Sequence, residues 1–453
     1  MHLNDEGYIL LAVFILLMAT LWLGFDAYGR RRDHSGLSAG PLQSALELVG
    51  SESALLLFPL LPAALLNGGH LLRPAGLFLG LLAALLLGAR FREALLAAGS
   101  FDLTEALFKR GVRAGFLATA ILLLFSLPLI AACVSLLAEL FFTIFSLARH
   151  IALPVSALLC ALFALPGGDE SLRRRGALKP LLLLPVLALL AAKAVQGNAF
   201  VPPALSASPS ALGGYAADLS LAFACLGLPV FCQRTFAAGS ARAYRRSIPL
   251  ALALAALCLG GALLLGLFPN SGATGGTELD LLTLMQDGLS PALAGVLLCC
   301  PLALALYGAL EGGALAGSTL TCFFALLFPG WSEGRLHILR PVCGALCFLP
   351  IAPLALLPLG VDELFLLALS GFAGSFGPLF CALALKKGVS HLGATLCLCC
   401  GAASALLWSL VPMLGALFPA PLPSFLAGFL GLVLGNSIAP EAKLPAREAQ
   451  EES

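Results

Sequence analysis

Long apolar stretches alternate along the chain with short interruptions that are charged or rich in Gly and Pro. A helix needs about 20 apolar residues to cross the roughly 30 Å of bilayer hydrocarbon, and cutting the chain at its interruptions leaves thirteen such stretches. The pattern therefore predicts an all-α polytopic membrane protein of about thirteen transmembrane helices. The predicted spans cover 8–26, 42–66, 73–90, 114–143, 148–166, 178–197, 215–233, 247–268, 290–328, 341–358, 363–385, 390–413 and 418–436.

Composition excludes a soluble protein. The 453 residues are 60% hydrophobic and 11% charged, with a mean hydropathy of +1.00, whereas soluble domains carry about 25% charged residues. The net charge of +1 suggests no nucleic-acid partner. The first span is preceded by Asp5 and Glu6 and has no small-residue cleavage site, so it is expected to be a retained helix rather than a signal peptide.

The placement of charge predicts an orientation. With the N-terminus outside, all but three of the 25 Lys and Arg residues fall in inner segments; the exceptions are Arg73, Arg149 and Lys193. The positive-inside rule then gives an odd number of spans and a cytoplasmic C-terminus, as expected for a bacterial inner (plasma) membrane protein. The tail after Ser437 is short and charged, and is expected to be disordered. Part of the overlong ninth span, at 321–328, is expected to lie along the inner surface.

The fourteen cysteines lie mostly within apolar stretches, where a reduced cysteine acts as a small hydrophobe. The cluster of Cys397, Cys399 and Cys400 sits in mid-span with no histidine nearer than His391. Helix packing is therefore favoured over a metal site.

Ionisable residues inside a membrane are costly and mark transport pathways or sites. Glu47 and Glu52 flank Gly50 in the second span, and Glu311 lies among glycines in the ninth. For Glu52, and for Glu139 in the fourth span, an interhelical hydrogen bond explains the residue equally well. Glu47 and Glu311 lie in sequence expected to loosen a helix, which favours a role as proton carrier or as partner of a cation. Asp218 lies near the outer end of the seventh span.

The seventh span is interrupted at Gly227 and Pro229. Pro229 has no N–H to donate, so the carbonyl of Cys225, four residues earlier, loses its helical partner. Two Gly/Pro-interrupted helices, in spans two and seven, are typical of transporters built from inverted repeats with a site at the midplane. A simple packing kink is the alternative.

From about residue 8 to residue 436 the chain resembles the solute:sodium symporter family, with the acetate/cation symporter branch nearest. The most specific likeness is Gly227-Leu-Pro229 followed by Gln233–Ser240 and Arg242–Ser247. Weaker likenesses run in consistent order through Phe25–Arg30, Ser35–Leu37, Ser44–Gly50, Phe101–Glu105, Phe163–Gly168, Gly377–Lys386, Gly393 and Gly401.

The resemblance implies a LeuT-type fold of 5+5 inverted repeats with one extra N-terminal helix and two extra C-terminal helices. The expected division is an extra helix and inner loop (1–40), a first repeat (41–197), a second repeat (198–388), two C-terminal helices (389–437) and a cytoplasmic tail (438–453).

The resemblance also implies the site. Solute is expected between the second and seventh helices, at Ser44, Glu47, Ser51, Phe223, Gly227 and Pro229. A coupling cation is expected at Gly40, Gln43, Ala305, Gly308, Ala309 and Glu311. Where the family often reads Ser-Thr-Ala-Asp-Ser, this chain reads Gly308-Ala-Leu-Glu-Gly312, and Gly176 stands where the family has an aspartate. Sodium and the proton therefore both stay open as coupling ion.

These features predict cation-coupled symport of a small organic solute, with a monocarboxylate such as acetate as one candidate. No basic side chain is expected to be buried at the site, so backbone amides and helix N-termini would hold a carboxylate. The alternative is a degenerate family member that serves as a membrane sensor or partner subunit. An enzyme is disfavoured, because the spans contain no His pair, zinc spacing or Ser/Lys dyad. The expected partners are the lipid bilayer and the solute, without a cofactor beyond Na⁺ or H⁺, and the oligomeric state stays open.

Overall fold

The computed structural model describes residues 5–30, 40–57, 72–100, 103–166, 169–197, 220–236, 240–267, 291–328, 331, 333–354, 360–415 and 418–440. Within these ranges every regular element is a helix, which confirms the all-α prediction. Asp218, the side chain of Glu52, the outer connections at 198–214 and 269–288 and the tail after residue 440 lie outside the described residues.

The described helices, in chain order, are α1 Asp5–Arg30, α2 Pro41–Leu57, α3 Leu72–Ala97, α4 Leu103–Arg110, α5 Val112–Phe145, α6 Arg149–Ala164, α7 Asp169–Gly197, α8 Pro229–Arg234, α9 Ala241–Leu267, α10 Pro291–Leu327, α11 Glu333–Leu346, α12 Ile351–Leu354, α13 Val361–Ala384, α14 His391–Leu410, α15 Pro412–Gly415 and α16 Pro421–Ile438. Residues 220–224 form a further helical segment before α8.

The chain is a multi-pass membrane protein. Eight stretches within the described helices are long and apolar enough to cross a membrane: Gly7–Asp26, Ala75–Ala97, Val112–Phe142, Ala241–Gly261, Leu297–Ala325, Glu363–Ala384, His391–Leu410 and Pro421–Ile438. The other predicted spans are partly outside the described residues, short, or charged at one end, so the total of thirteen stays a prediction.

Three helices form the centre of the molecule. In the most apolar part of α10 and of α13, 89% of the residues are buried. The share is 78% in α5 and only 22% in α1. Helix α5 packs against both α10 and α13, while α14 and α16 pack together against one side of α13. The large apolar side chains exposed on α1 and α16, such as Trp22 and Leu434, suit helices that face lipid.

Helix α7 starts earlier than predicted. The expected span began at residue 178, but the helix begins at Asp169, so Arg173, Arg175 and Lys179 are helical residues and not loop residues. Arg175 and Lys179 are fully buried. The expectation that they belong to an inner loop is wrong, because their charged groups find carboxylate and carbonyl partners inside the helix bundle.

The interruption predicted in the second span is wrong for the described part of α2, which is helical through Gly50. Gly50 serves packing instead. A Cβ at Gly50 would lie only 2.0 Å from the carbonyl oxygen of Gly176, so α2 and α7 approach too closely for any larger residue. Helix α10 likewise runs unbroken through the glycines around Glu311, and on through residues 321–327.

The break in the seventh span is confirmed. Residues 220–224 are helical, residues 225–227 turn, and Pro229 begins α8. Gly227 has φ +85°, a left-handed conformation that favours glycine. A Cβ at Gly227 would lie 2.4 Å from the backbone nitrogen of Gly377, so the break packs directly against α13.

Candidate functional site

One face of α7 organises the polar interior. Arg173, Gly176 and Lys179 follow one another at intervals of three residues, a spacing that places side chains on the same side of a helix. This face packs against α2 and α10. The two helices opposite contribute the acids predicted from sequence, Glu47 on α2 and Glu311 on α10.

Glu47 is fully buried and has two partners. Its Oε2 lies 3.1 Å from Nε of Arg173, and its Oε1 accepts a hydrogen bond of 3.0 Å from Nε2 of Gln43. An ionised carboxylate is strongly disfavoured away from water unless it is paired in this way. The contacts therefore fit a charged Glu47 that ties α2 to α7.

Glu311 forms a second ion pair, deeper in the bundle. The ammonium of Lys179 donates a hydrogen bond to Oε2 of Glu311, and both side chains are almost completely buried, at 0% and 2% exposure. The same Nζ lies 3.5 Å from the carbonyl oxygen of Gly50. Three helices thus meet at one buried ammonium.

Glu311 also faces a second cation. Nη2 of Arg234, in α8, lies 3.8 Å from Oε1 of Glu311. A Cβ at Gly176 would lie 3.0 Å from that same oxygen. The absence of a side chain at Gly176 therefore leaves room for the carboxylate. Oε1 is buried and accepts no hydrogen bond from the described residues.

A cavity of about 460 Å³ opens next to this cluster, within the range of small-molecule sites. Its walls come from the N-terminal part of α7, from α8 and the turn after it, from α10 and from α11. The lining residues are Leu172, Arg173, Val230, Gln233, Arg234, Phe236, Glu311, Ala314, Leu315, Ser318, Thr321, Cys322 and Arg340.

The cavity wall is positively charged. Three guanidinium groups, those of Arg173, Arg234 and Arg340, line it together with a single carboxylate, that of Glu311. Glu311 is already paired with Lys179 behind the wall. Ser318, Thr321 and Gln233 add neutral polar groups. The arrangement suits an anion better than a cation.

None of the residues predicted to bind solute lines this cavity. Ser44 is buried and its hydroxyl has no hydrogen-bond partner among the described residues. Ser51 donates to the carbonyl of Leu48 at 2.8 Å. The ring of Phe223 packs on Phe425 with centroids 4.9 Å apart. Gly227 and Pro229 form the break that starts α8.

Most of the residues predicted to hold a cation lie within regular helices. The carbonyl of Gly40 accepts a hydrogen bond of 2.9 Å from the backbone of Ser44 in the first turn of α2. Ala305, Gly308 and Ala309 are buried inside the unbroken helix α10. Of the residues predicted for the site, Glu311 alone lines the cavity.

The sequence interpretation missed the basic half of the site. The expectation of no buried basic side chain there is wrong, because Lys179 and Arg234 both reach Glu311. Lys179 and Arg173 had been counted as loop charges. Their spacing is the signal that could have identified them. Residues 173, 176 and 179 lie three apart on one face of α7, as residues 47 and 50 do on α2.

Two further arginines fix the start of α7 to its neighbours. Nη1 of Arg174 lies 2.6 Å from Oδ2 of Asp26 on α1. Arg175 donates to the carbonyl oxygen of Thr20 at 3.1 Å, and to that of Phe163 at 3.5 Å. Together with Arg173, these arginines join α7 to α1, α2 and α6, which holds the polar face of α7 in position.

The other polar positions singled out from sequence lie apart from this cluster. Glu139 lies 3.8 Å from Arg149, across the turn between α5 and α6. None of the fourteen cysteines, all of which are described, forms a disulfide. Cys397 packs its sulfur 3.5 Å from the carbonyl oxygen of Ser375. The part of the chain that the structure describes holds no group of three His, Cys, Asp or Glu residues able to bind a metal ion.

The chain matches known proteins in structure but not in sequence. No protein-family model and no curated protein matches its sequence. A Na⁺-coupled sialic acid symporter in a substrate-bound outward-open state matches with a TM-score of 0.70 at 14% identity, over 95% of this chain and 98% of that one. Mhp1, a nucleobase-cation-symport-1 family transporter, gives 0.57 at 15% identity over 89% and 94%. The Eremococcus coleocola manganese transporter gives 0.56 at 16% identity over 89% and 95%.

The chain has the LeuT-type fold. Identities this low establish the fold alone, so the fold implied by the resemblance is confirmed. Membership of the solute:sodium symporter family stays a prediction.

The sodium ion implied by such a fold finds few ligands in the buried cluster. Hard cations are held by several oxygens at roughly 2.3–2.6 Å, as calcium is. The two oxygens that converge here, Oε2 of Glu311 and the carbonyl of Gly50, converge on the ammonium of Lys179. The residues present do not fit a sodium ion in addition to Lys179.

Proposed function

We propose that the chain is a cation-coupled secondary transporter of a small organic anion. The observation that carries the proposal is the cavity of about 460 Å³ whose wall joins three guanidinium groups to the broken seventh helix. A helix broken at Gly227 and Pro229 supplies the kind of discontinuous segment around which transporters build their sites. The LeuT-type fold, shared with cation-coupled symporters, supports the same function.

The proposed solute carries a carboxylate. Arginine binds carboxylates with two parallel hydrogen bonds, and Arg234 is held beside the cavity by its contact with Glu311. A monocarboxylate such as acetate remains a candidate. The cavity has room for larger acids as well, and its hydroxyls at Ser318 and Thr321 could bind their polar substituents.

We further propose the orientation predicted from charge, with the N-terminus outside and the C-terminus in the cytoplasm of a bacterial cell. Arg234 and Arg340 belong to segments predicted to be cytoplasmic, and Arg173 lines the same cavity. On that orientation the cavity is the inner part of the transport route. Residues 41–197 and 198–388 are then the two inverted repeats that move relative to each other, and the chain is a divergent solute:sodium symporter.

A second candidate is a degenerate relative that does not transport and acts as a partner subunit or sensor. The favouring observation is the Lys179–Glu311 pair, because two buried charges that neutralise each other could lock α7 to α10. A locked bundle would still expose the cavity as a binding site, but would not alternate between two open states.

Uptake into proteoliposomes separates the two candidates. The purified protein is reconstituted and given labelled mono- and dicarboxylates, matched amides and an amino acid, under an imposed sodium or proton gradient. We expect gradient-driven accumulation of a carboxylate and not of its amide. Accumulation of no solute under either gradient would favour the non-transporting alternative.

The Arg234→Gln variant tests the binding residue. Loss of a charge-assisted hydrogen bond costs about 1.5–3 kcal/mol, so we expect KM for the accumulated carboxylate to rise roughly tenfold or more. Arg149→Gln is the control, since Arg149 lies outside the cavity lining and is predicted to be on the opposite side of the membrane. An equal change in both variants would contradict the role of Arg234.

A further inference from the structure

We propose that the ammonium of Lys179 is a tethered cation, which fills the place of a coupling sodium ion so that the chain binds no sodium there. The inference rests on the proposed function only in taking the α2–α7–α10 junction for the cation site. Sequence analysis placed Lys179 in a loop and gave the role of coupling cation to a free ion. The proposal gives that role to Lys179.

The oxygens around Lys179 are those that a free cation would use. Its Nζ contacts a carboxylate oxygen of Glu311 on α10 and lies 3.5 Å from the carbonyl oxygen of Gly50 on α2. The side chain is fully buried. One charged group therefore joins the two helices between which the coupling cation was predicted.

The glycines at the junction explain how a carboxylate and an ammonium both fit. A Cβ at Gly176 would lie 3.0 Å from Oε1 of Glu311. The related symporters resembled by this chain carry an aspartate at the position of Gly176. Here α7 contributes no acid at that position, and the carboxylate of Glu311, on α10, fits against the bare glycine. Helix α7 instead supplies a positive charge three residues further on, at Lys179.

Electrostatics oppose an additional sodium ion. Glu311 already faces Lys179, and Nη2 of Arg234 lies 3.8 Å from its other oxygen. The neighbouring acid Glu47 is paired with Arg173 and Gln43. A sodium ion at Glu311 would meet two positive groups for one carboxylate, and like charges repel strongly where water is excluded. Of the two coupling ions predicted, the proton is then left.

Thermal unfolding of the purified full-length protein in detergent tests the proposal without transport. Wild type is heated in sodium, methylammonium or choline chloride at equal ionic strength. We expect the wild-type Tm to be the same in all three salts, within about 1 °C. In Lys179→Ala the Oε2 of Glu311 loses the ammonium, and the carboxylate keeps only Arg234, 3.8 Å from its other oxygen. We therefore expect a lower Tm that sodium or methylammonium raises by about 2 °C or more relative to choline, since a ligand stabilises the folded state it binds.

Three further variants make the result specific. Arg174→Ala removes a cation of the same helix that pairs with Asp26 outside the cluster, and its Tm is expected to be insensitive to the choice of cation. Lys179→Ala combined with Glu311→Gln removes the ligand and should abolish the rescue. Lys179→Met keeps most of the side-chain volume and replaces Lys179→Ala if that variant does not fold.

Saturable stabilisation of wild type by sodium, relative to choline, would overturn the proposal. So would folded Lys179→Ala and Lys179→Met proteins that do not respond to small cations. The test is independent of the solute: rescue of Lys179→Ala without uptake of any solute would support the tethered cation while counting against transport.

Discussion

The two buried acids of the site differ in how far their basic partners are shielded from water. Arg173 keeps 20% of its side chain exposed and lines the cavity, whereas Lys179 is fully buried behind the wall. Breaking a buried ion pair costs most when the remaining charge has no access to water or to another partner. The two pairs are therefore expected to differ in their contribution to stability, although each joins α7 to a neighbour.

Replacing each acid by its amide tests this difference. Glu311→Gln leaves the ammonium of Lys179 buried without a counter-charge, so we expect a loss of about 3–5 kcal/mol in the free energy of unfolding. Glu47→Gln leaves Arg173 at the cavity, where water can solvate it, and about 1–3 kcal/mol is expected. Denaturant titration of the two variants in the same detergent measures both. Equal losses, or a larger loss for Glu47→Gln, would contradict the assigned burial.

Sequence alone identified the acids of the site but not their bases. Glu47 and Glu311 are conspicuous because a carboxylate inside an apolar stretch is costly and rare. Lys179 lies at the border between a charged segment and an apolar one, where the positive-inside rule accounts for it fully. The early start of α7 at Asp169 shows that this border lies within a helix. Asp169 and Glu170, which follow two glycines, are a helix-start signal that the hydropathy pattern does not use.

At the scale of helices, glycine and proline have different effects. Glycine lowers helix propensity by about 1 kcal/mol but keeps its N–H. Inside a membrane no water is available to hydrogen-bond a backbone group, so the helical hydrogen bond is retained. Gly50 and the glycines near Glu311 therefore stay helical. Pro229 lacks the donor, and with Gly227 at φ +85° it breaks the chain. Proline alone does not break a helix here, since Pro128, Pro180 and Pro301 lie inside α5, α7 and α10. The break occurs where proline follows a glycine with positive φ, and glycine alone indicates close packing instead.

The contact between α2 and α7 makes this testable at Gly50. A methyl group there would lie 2.0 Å from the carbonyl oxygen of Gly176, so Gly50→Ala must push α2 away from α7. Overpacking of this kind typically costs about 1–3 kcal/mol, and we expect Tm to fall accordingly. The matched control is Gly260→Ala on α9, where a Cβ would meet nothing within 4 Å. A Tm for Gly50→Ala as high as that of the control would show that the two helices are not in close contact.

For the whole molecule, the sequence predicts most of the fold but not which charged residues are buried. The apolar stretches identify the long helices, and the Gly227-Leu-Pro229 motif identifies the broken one. Hydropathy does not show that α10 and α13 are central while α1 lies at the edge, because a helix facing lipid and a helix facing protein are equally apolar. Packing against neighbours decides which is which, and it also decides which arginines are buried.

The buried cations bear on the predicted orientation. Of the cations in segments predicted to be inside, Arg92, Arg175 and Lys179 prove to be buried. Without them, Arg242, Arg245, Arg246, Lys386 and Lys387 still belong to segments predicted to be inside, while the predicted outer side keeps Arg73, Arg149 and Lys193. The bias survives because these three buried cations are a small part of the inner excess.

A pair of reporter fusions in a bacterial host tests this orientation. Alkaline phosphatase is active only after export and green fluorescent protein fluoresces only in the cytoplasm, so each is fused after Ser453 and, separately, within the predicted outer connection at residues 198–214. Because positive loops stay inside, we expect fluorescence without phosphatase activity at Ser453 and the opposite result at the outer connection. Phosphatase activity at Ser453 would show that the orientation is the reverse of the one predicted. The arginine-lined cavity would then face outward, and the proposed inner route would become the entrance for solute.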